Sequence, residues 1–254
     1  MSFSKDVTYI IAEYLTKYEL LDWINADDLI PIYISANPHA MDFLNANPDK
    51  IDWAGLSANP SAIELLKSNI YKVNWYWLSG NSAGVDLVKT RLRSINWLRL
   101  SENPAAIDLL KAHPDEINWD GLSKNPAAMD LIKSNPDKIK WRRLSKNPAA
   151  MDLLLANPDK IDWTMLSTNP AAIELLRSNP GKINWYWLSL NPAAIDLLKA
   201  NQDNIDWYHL SGNPGMIELL KANQDKVWIN RISENPAIFE RKVDLKLINI
   251  LLEI

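Results

Sequence analysis

Residues 119–140 have the sequence WDGLSKNPAAMDLIKSNPDKIK and contain one complete copy of a unit that recurs along most of the chain. The tryptophan that begins the unit returns every 22 residues from Trp53 to Trp207. The serine four residues later returns at the same spacing, at positions 35, 57, 79, 101, 123, 145, 167, 189, 211 and 233. Because self-similarity at a fixed period is the signature of repeat architectures, the sequence predicts about ten tandem repeats.

Each repeat is predicted to contain two helices. Asn125 is a good N-cap residue, and Pro126 suits the first position of a helix, where no backbone N–H is needed. The second helix should then run from Ala127 to Ser134 and end before the next Asn-Pro. The first helix starts at the tryptophan after Asp52 or Asn118 and is so short that part of it is expected to be 3-10 helix.

Neither helix is long enough to be stable alone, so neighbouring repeats must stack and bury a shared apolar face. The tryptophan, the leucine three residues later and the Ala-Ile-x-Leu-Leu segment are predicted to form this core. The fold class is therefore all-α: an α-solenoid of about ten 22-residue two-helix repeats with N- and C-terminal capping helices. At ~8–10 Å between packed helices, ten repeats would form a curved rod roughly 80–100 Å long.

The two ends of the chain depart from the repeat. Residues 1–30 are predicted to form an N-terminal cap helix region, residues 31–233 the tandem repeats, and residues 234–254 a C-terminal cap helix. The final segment, LKLINILLEI, is apolar enough to serve instead as a homodimer contact.

Composition narrows the class of protein. The chain has 254 residues, is 47% hydrophobic and has no cysteine, which excludes disulfides and thiolate metal sites. Its net charge of −4 argues against general attraction to nucleic acid or to an anionic membrane surface. Without a signal-like N-terminus or an apolar run of 18 residues, the protein is expected to be intracellular, not secreted and not in a membrane.

The sequence shows no arrangement typical of catalysis or cofactor binding. His39, His113 and His209 fall at three different repeat positions, so no metal site is expected. An acidic residue recurs on the second helix of nine repeats, usually with a lysine or arginine three residues later, and this pattern is typical of a solvated helix face. The protein is therefore predicted not to be an enzyme and to bind no cofactor.

Three positions vary between repeats while the core positions hardly change: the two after the tryptophan and the one after the serine. Variable residues on a constant scaffold are where repeat proteins usually bind partners. They form a strip with a basic centre and aromatic ends, and tryptophan, tyrosine and arginine are enriched in interface hot spots. The candidate binding residues are Tyr76, Trp77, Arg99, Lys124, Arg142, Arg143, Lys146, Tyr186, Trp187, Tyr208 and His209. The competing interpretation is that these positions vary by sequence drift on a surface without a function. In that case Trp77 and Trp187 would be buried between repeats.

The consensus NPAAIDLLKANPDKINWxxLSxNP resembles the short Trp/Asn-Pro repeats found in multi-copy protein families of large DNA viruses that infect amoebae and algae. The resemblance covers roughly residues 31–236 and is specific for the repeat type. The architecture is also similar to leucine-rich variant repeats, which alternate an α-helix with a 3-10 helix. The resemblance implies a viral protein that acts in the infected host cell, in the cytoplasm (the virus factory) or in the nucleus.

Three functions compete at this point. The first is a non-enzymatic scaffold that binds a protein partner. The partner would be a host or viral protein with an acidic surface. The second is nucleic-acid binding through the basic and aromatic strip. The third is a structural component of the virion or virus factory that self-associates through its C-terminal helix.

Overall fold

The computed structural model describes residues 16–243, and within this range the chain is a series of short helices with one strand at each end. We number the repeats one to ten by their serine, from Ser35 to Ser233, and call the first helix of each repeat the A helix and the second the B helix. The A helices are Pro31–Ala36, Trp53–Ala58, Trp75–Ser79, Trp97–Glu102, Trp119–Lys124, Trp141–Leu144, Trp163–Leu166, Trp185–Leu188, Trp207–Ser211 and Ile229–Ile232. The B helices are Met41–Ala46, Ile63–Ser68, Val85–Lys89, Ile107–Ala112, Met129–Lys133, Met151–Leu155, Ile173–Arg177, Ile195–Ala200 and Ile217–Lys221.

Short 3-10 helices connect these elements, and two strands flank them. Between the A and B helices lie the 3-10 helices Pro60–Ala62, Ser82–Gly84, Pro104–Ala106, Pro126–Ala128, Pro148–Ala150, Pro170–Ala172, Pro214–Met216 and Pro236–Ile238, the last of which leads into a strand. After the B helices lie Pro48–Lys50, Ile70–Lys72, Leu92–Ser94, Pro114–Glu116, Pro136–Lys138, Pro158–Lys160, Pro180–Lys182, Gln202–Asn204 and Gln224–Lys226. The strands are β1, Thr16–Leu20, and β2, Phe239–Val243.

Repeat five shows why the sequence forms these elements. The side chain of Asn118 caps the A helix by accepting a hydrogen bond from Gly121 N at 3.0 Å. The side chain of Asn125 accepts from Ala127 N at 3.0 Å, and Ala128 N donates to the carbonyl of Asn125 at 3.1 Å. This tight turn makes residues 126–128 a 3-10 helix. The prediction of one continuous second helix from Ala127 to Ser134 is therefore wrong at its start, because the B helix begins only at Met129. The predicted 3-10 character lies in the connections and not in the A helix.

The core lies between the A and B helices. Leu122 of the A helix and Ile132 of the B helix are fully buried, as are the same positions in the other repeats. The tryptophans are only partly buried and pack at the edge of this core. Lys138 covers the ring of Trp119 with its ammonium group 5.0 Å from the ring centroid, and lysines cover three other tryptophans in the same way at 4.4–4.5 Å. The predicted core is confirmed for the A-helix leucine and for the alanine and last leucine of the Ala-Ile-x-Leu-Leu segment, which are buried. The isoleucine and first leucine of that segment are only partly buried, and they form the margin of the core together with the tryptophans.

Two buried ladders of hydrogen bonds join each repeat to the next. The hydroxyl of Ser123 donates to Trp119 O at 2.7 Å and accepts from Lys140 N of the next repeat at 3.1 Å. The side-chain amide of Asn147 donates backwards to the carbonyls of Ser123 and Asn125, at 3.1 and 3.0 Å. The serine and the asparagine recur in all ten repeats and are buried in all of them. They are buried without cost because backbone groups of two repeats satisfy them.

The same bonds connect the last repeat to the first. Asn37 of repeat one donates to the carbonyl of Asn235 of repeat ten at 3.0 Å, and Ser233 accepts from Ile30 N at 3.2 Å. These are the bonds that every other asparagine and serine makes with its neighbouring repeat. The ten repeats therefore form a closed ring, and the predicted open rod of 80–100 Å is wrong.

The strands β1 and β2 seal this closure. They pair antiparallel, with Thr16 opposite Val243 and Leu20 opposite Phe239. The predicted cap helices are therefore wrong for residues 16–20 and 239–243, which pair with each other as strands. Residues 21–30 form turns, and residues 234–238 contain the Asn-Pro turn of repeat ten with the 3-10 helix Pro236–Ile238, so neither segment is the predicted cap helix. The rest of both predicted caps, residues 1–15 and 244–254, lies outside the described residues, and so does the predicted homodimer contact.

The A helices lie on the inner circumference of the ring. A helices of neighbouring repeats pack directly on each other, whereas neighbouring B helices are farther apart. In a closed ring the spacing between equivalent elements increases with their distance from the axis, so the closely packed A helices must be the inner set. A Cβ atom at Gly121 would lie 2.6 Å from Leu98 O of the preceding repeat, which shows how close this packing is.

Candidate functional site

The three variable positions of each repeat lie on the A helices and together form one band around the inner circumference, which we call the inner strip. Side chains of this band touch across repeat boundaries. Arg143 pairs with Asp120 of the preceding repeat at 3.3 Å, and the ring of Tyr186 lies 4.0 Å from that of His209 in the following repeat. Members of the predicted strip thus touch across these repeat boundaries, and the strip follows a ring and not a rod.

Two aromatic pairs on the inner strip are nearly identical. Tyr76 and Trp77 meet edge to face with ring centroids 5.2 Å apart and planes at 88°. Tyr186 and Trp187 have the same separation, with planes at 87°. Both pairs belong to the sequence Trp-Tyr-Trp-Leu-Ser, at residues 75–79 and 185–189. In each pair the tyrosine is exposed, at 45% and 48%, while the tryptophan is half-buried.

These two pairs belong to repeats three and eight. Five repeats separate them in either direction around a ring of ten, so they lie on opposite sides of the opening. The sequence shows the identity of the two segments, but their opposition follows only from ring closure.

The aromatic surface extends from repeat eight into repeats nine and ten. Tyr208 lies 5.5 Å from the exposed ring of Trp228, and His209 contacts both Tyr186 and Trp187. His209 itself is only 6% exposed, and its Nδ1 lies 2.9 Å from a carboxylate oxygen of Asp206. The prediction that His209 belongs to an exposed binding surface is therefore wrong. The second position after the tryptophan faces the A helix of the preceding repeat, and His209 packs there against the rings of Tyr186 and Trp187.

The basic residues of the strip are brought together in repeats four to six, which we call the basic arc. Lys124 bonds Glu102, Arg99 lies 3.5 Å from the same carboxylate, and Arg142 lies 3.6 Å from Asp162. Burial lowers the pKa of Lys146, and the nearby charges of Lys124 and Arg143 lower it further. The arc therefore has more cations than anions, but several of its cations are already paired. Arg142 is the most open, with 68% of its side chain exposed.

Arg99 also connects the basic arc to the first aromatic pair. Its guanidinium carbon lies 4.6 Å from the ring centroid of Trp77 and 5.3 Å from that of Tyr76. A cation over an aromatic face is attracted by the ring quadrupole. The basic and aromatic parts of the strip are thus one connected surface.

A pocket of about 320 Å³ opens on the inner strip at the ring closure. It is lined by Ile32, Tyr33, Ala36, Gly55, Ala58, Trp77 and Glu234, which come from repeats one, two, three and ten. Of these, only Trp77 is among the candidates chosen from the sequence. The sequence does contain one indication of this pocket, the small residues at strip positions 36, 55 and 58. They predict a pocket only once repeat ten is known to lie beside repeat one.

Residues 16–243 contain no group of three or more His, Asp or Glu side chains placed to hold a metal ion. Among the same residues, no helix has the length and apolar character needed to cross a membrane.

We expect Tyr76→Ala to change the free energy of unfolding by less than ~1 kcal/mol and Trp77→Ala to lower it by about 2 kcal/mol. Truncation of a fully buried tryptophan costs ~3–5 kcal/mol, and Trp77 is about half-buried beneath Arg99. Urea denaturation of the two variants checks this. If both variants lost the same free energy of unfolding, both rings would support the fold, and Tyr76 would not be a purely functional residue.

Comparisons with protein-family models, with curated proteins and with solved structures find no match to this chain. The resemblance to viral Trp/Asn-Pro repeat proteins therefore stays a prediction.

Proposed function

We propose that this protein is a non-catalytic binding ring that holds a segment of a protein partner against its inner strip. The observation that carries the proposal is the placement of two identical, half-exposed aromatic pairs on opposite sides of the opening. A single segment inside the ring can touch both pairs, whereas a partner on the outer surface can touch neither.

The size of the opening suits such a segment. Ten A helices packed ~8–10 Å apart give a circle of axes about 25–32 Å across. Subtracting one helix diameter of ~10 Å, which includes the side chains, leaves an opening of about 15–22 Å. An α-helix or an extended strand fits this space while contacting both sides.

The charges of the strip favour a segment with acidic residues on one side. The basic arc, which includes Arg142 and Arg143, has more cations than anions, and repeats nine, ten and one lie across the ring from it. At the strip positions of those three repeats, the acidic and basic side chains are the paired Arg231 and Glu234 and the buried His209. Complementary charge across an interface gives specificity and speeds association. The carboxylates of Glu102, Asp120 and Asp162 pair with cations of the basic arc and partly neutralise it. This pairing makes the arc less suited to a ligand with many phosphate groups.

Selection from a displayed peptide library tests this proposal. The intact ring should enrich peptides that combine acidic and aromatic residues, and Arg142→Glu with Arg143→Glu should weaken their binding by at least tenfold. Tyr186→Ala should weaken binding by about tenfold as well, because the exposed phenol is lost while the fold keeps Trp187.

The matched control is Lys67→Glu with Lys89→Glu, which makes the same change in net charge on exposed B-helix residues. If the peptides bind both charge-reversed proteins equally weakly, the loss of affinity comes from net charge alone. That result would contradict the proposal. Binding of single-stranded oligonucleotides with a steep salt dependence, in the absence of peptide enrichment, would replace the protein partner with a nucleic acid.

A further inference from the structure

The pocket on the inner strip has a chemical character that differs from the rest of the ring. Its floor consists of small and aliphatic groups, from Ala36, Gly55, Ala58 and Ile32, and two aromatic side chains, Tyr33 and Trp77, complete its lining. Its one charged lining group is the carboxylate of Glu234. A mostly apolar hollow with one well-placed polar group is the usual composition of a site for a small organic group.

The pocket results from side-chain truncation at particular repeats and not from the repeat itself. Five repeats away, the positions beside Trp187 that correspond to Gly55 and Ala58 are occupied by Met165 and Thr168. Met165 is buried there. Gly55 has a structural reason to be small, since a Cβ atom would lie 2.0 Å from Ile32 O. Ala58 contributes only a methyl group to the pocket lining, where the equivalent residue beside Trp187 is the larger Thr168.

The carboxylate of Glu234 decides which kind of group the pocket suits. One oxygen of Glu234 accepts a hydrogen bond from Arg231 at 2.7 Å. Arg231 extends towards repeat nine, with its guanidinium over Tyr208 at 5.6 Å and against Gly212, on the side away from the pocket. The negative charge is thus already balanced by a cation outside the pocket. What remains for a ligand is a hydrogen-bond acceptor, not an unmatched charge.

Burial supports the same conclusion. Glu234 is half-buried, and burial raises the pKa of its carboxyl group even though Arg231 acts in the opposite direction. A group in such surroundings gains more from a neutral donor that excludes water than from an exposed ion pair. Neutral aromatic side chains with a donor, the indole of tryptophan and the phenol of tyrosine, match both the aromatic lining and this acceptor.

We infer that the pocket at the ring closure receives a tryptophan or tyrosine side chain of the bound segment, whose N–H or O–H donates to Glu234 while its ring packs against Trp77 and Tyr33. This inference rests on the proposed function, and it assigns the anchor residue of the partner. Because the pocket joins repeats ten, one, two and three, an occupied pocket also links the two ends of the repeat array.

The test uses the full chain and three small probes: N-acetyl-tryptophanamide, the naphthylalanine analogue that lacks the donor, and N-acetyl-argininamide. Binding is followed by NMR chemical-shift changes. We expect saturable binding of the tryptophan probe, at least fivefold tighter than the naphthyl probe, with the largest shifts at Gly55 and Ala58. Tighter binding of the arginine probe, or no saturable binding of the tryptophan probe, would overturn the inference.

Two filling variants locate the site. Ala58→Leu should abolish binding of the tryptophan probe, and Ala36→Leu serves the same purpose if the first variant does not fold. Thr168→Leu, at the repeat-equivalent position beside Trp187, should leave the affinity unchanged. Equal affinity of the probe for wild type and a folded filling variant would contradict the assignment.

The same variants separate this inference from the proposed function. Peptides selected by the intact ring should bind Ala58→Leu at least tenfold more weakly. If they bind it as tightly as wild type but still fail to bind the Arg142→Glu, Arg143→Glu protein, the ring binds a protein segment and only the anchor pocket is wrong.

Discussion

Cysteines in place of Glu19 and Glu240 are expected to form an intramolecular disulfide that stabilises the protein by about 5 kcal/mol. The two residues lie directly opposite each other in the pairing of β1 with β2. Side chains at opposed positions of antiparallel strands have Cβ atoms ~4.5–5.5 Å apart, which is close to the distance that a disulfide spans. The chain has no other cysteine to compete.

The large effect comes from the length of chain that the crosslink closes. A disulfide stabilises mainly by removing conformational freedom from the unfolded chain, and a loop of ~100 residues is worth about 4.7 kcal/mol in that model. The loop from residue 19 to residue 240 contains nearly the whole repeat array. Urea denaturation of the oxidised and reduced forms measures the difference.

A matched pair of cysteines at Glu19 and Glu174 provides the control. Glu174 is an exposed acidic residue on the B helix of repeat seven, well away from the closure. This protein should remain reduced or form only intermolecular dimers under the same mild oxidation. If the Glu19 and Glu240 pair behaved in the same way, β1 and β2 would not pair and the ring of repeats would be open.

The second large effect concerns the asparagine ladder, where Asn125→Ala is expected to cost about 3 kcal/mol. Its side chain donates to Ser101 O at 3.0 Å and to Asn103 O at 2.9 Å, and it accepts from Ala127 N at 3.0 Å. Removing it leaves three buried backbone groups without this partner, and an unsatisfied buried group costs ~1–3 kcal/mol. Partial relaxation keeps the total below the sum.

Asn37→Ala tests the same bond at the closure. Asn37 is as buried as Asn125, and it donates to Asn235 O across the junction at 3.0 Å. In a closed ring its substitution should cost as much as that of Asn125, to within ~1 kcal/mol. A negligible cost at Asn37 with a large one at Asn125 would indicate that repeats one and ten do not bond.

Asn135→Ala is the control for loss of an asparagine that bonds only within its repeat. Its amide donates to Leu131 O at 2.9 Å at the end of the B helix, and it is half-buried. We expect a cost of about 1 kcal/mol, the usual value for one hydrogen bond. The ratio of the three costs separates bonds between repeats from bonds within them.

Much of the repeat could be predicted from residue types because its determinants are local. Asn125 before Pro126 predicts a capped turn, and the structure has this turn. Leu122 and Ile132 recur at helical spacing and are fully buried. The predicted length of the B helix is wrong because residues 126–128 form the tighter 3-10 turn, whose hydrogen bonds join residues three apart and not four, a difference that residue propensities do not resolve.

The candidate site was predicted in part. Variation between repeats located the strip, and its contacts from Lys124 to Glu102 and from Tyr186 to His209 show that its members adjoin. Exposure was not predictable in the same way. The second position after the tryptophan faces the neighbouring A helix, so His209 is buried although it varies as freely as Tyr208. The pocket was missed because Glu234, its one charged lining residue, comes from repeat ten, whereas the other six lie in repeats one to three.

By itself, the sequence determines the 22-residue unit, its helical character, its buried leucines and the polar pair, serine and asparagine, that each unit carries. These follow from short-range hydrogen bonding and from apolar periodicity within one repeat. Only the tertiary structure decides that ten units close into a ring, that the strip faces inward and that Glu234 meets Ala36. Closure depends on a small rotation between neighbours, accumulated ten times and completed by the pairing of β1 with β2. No single repeat contains that sum, since it is a property of how neighbouring repeats pack on one another.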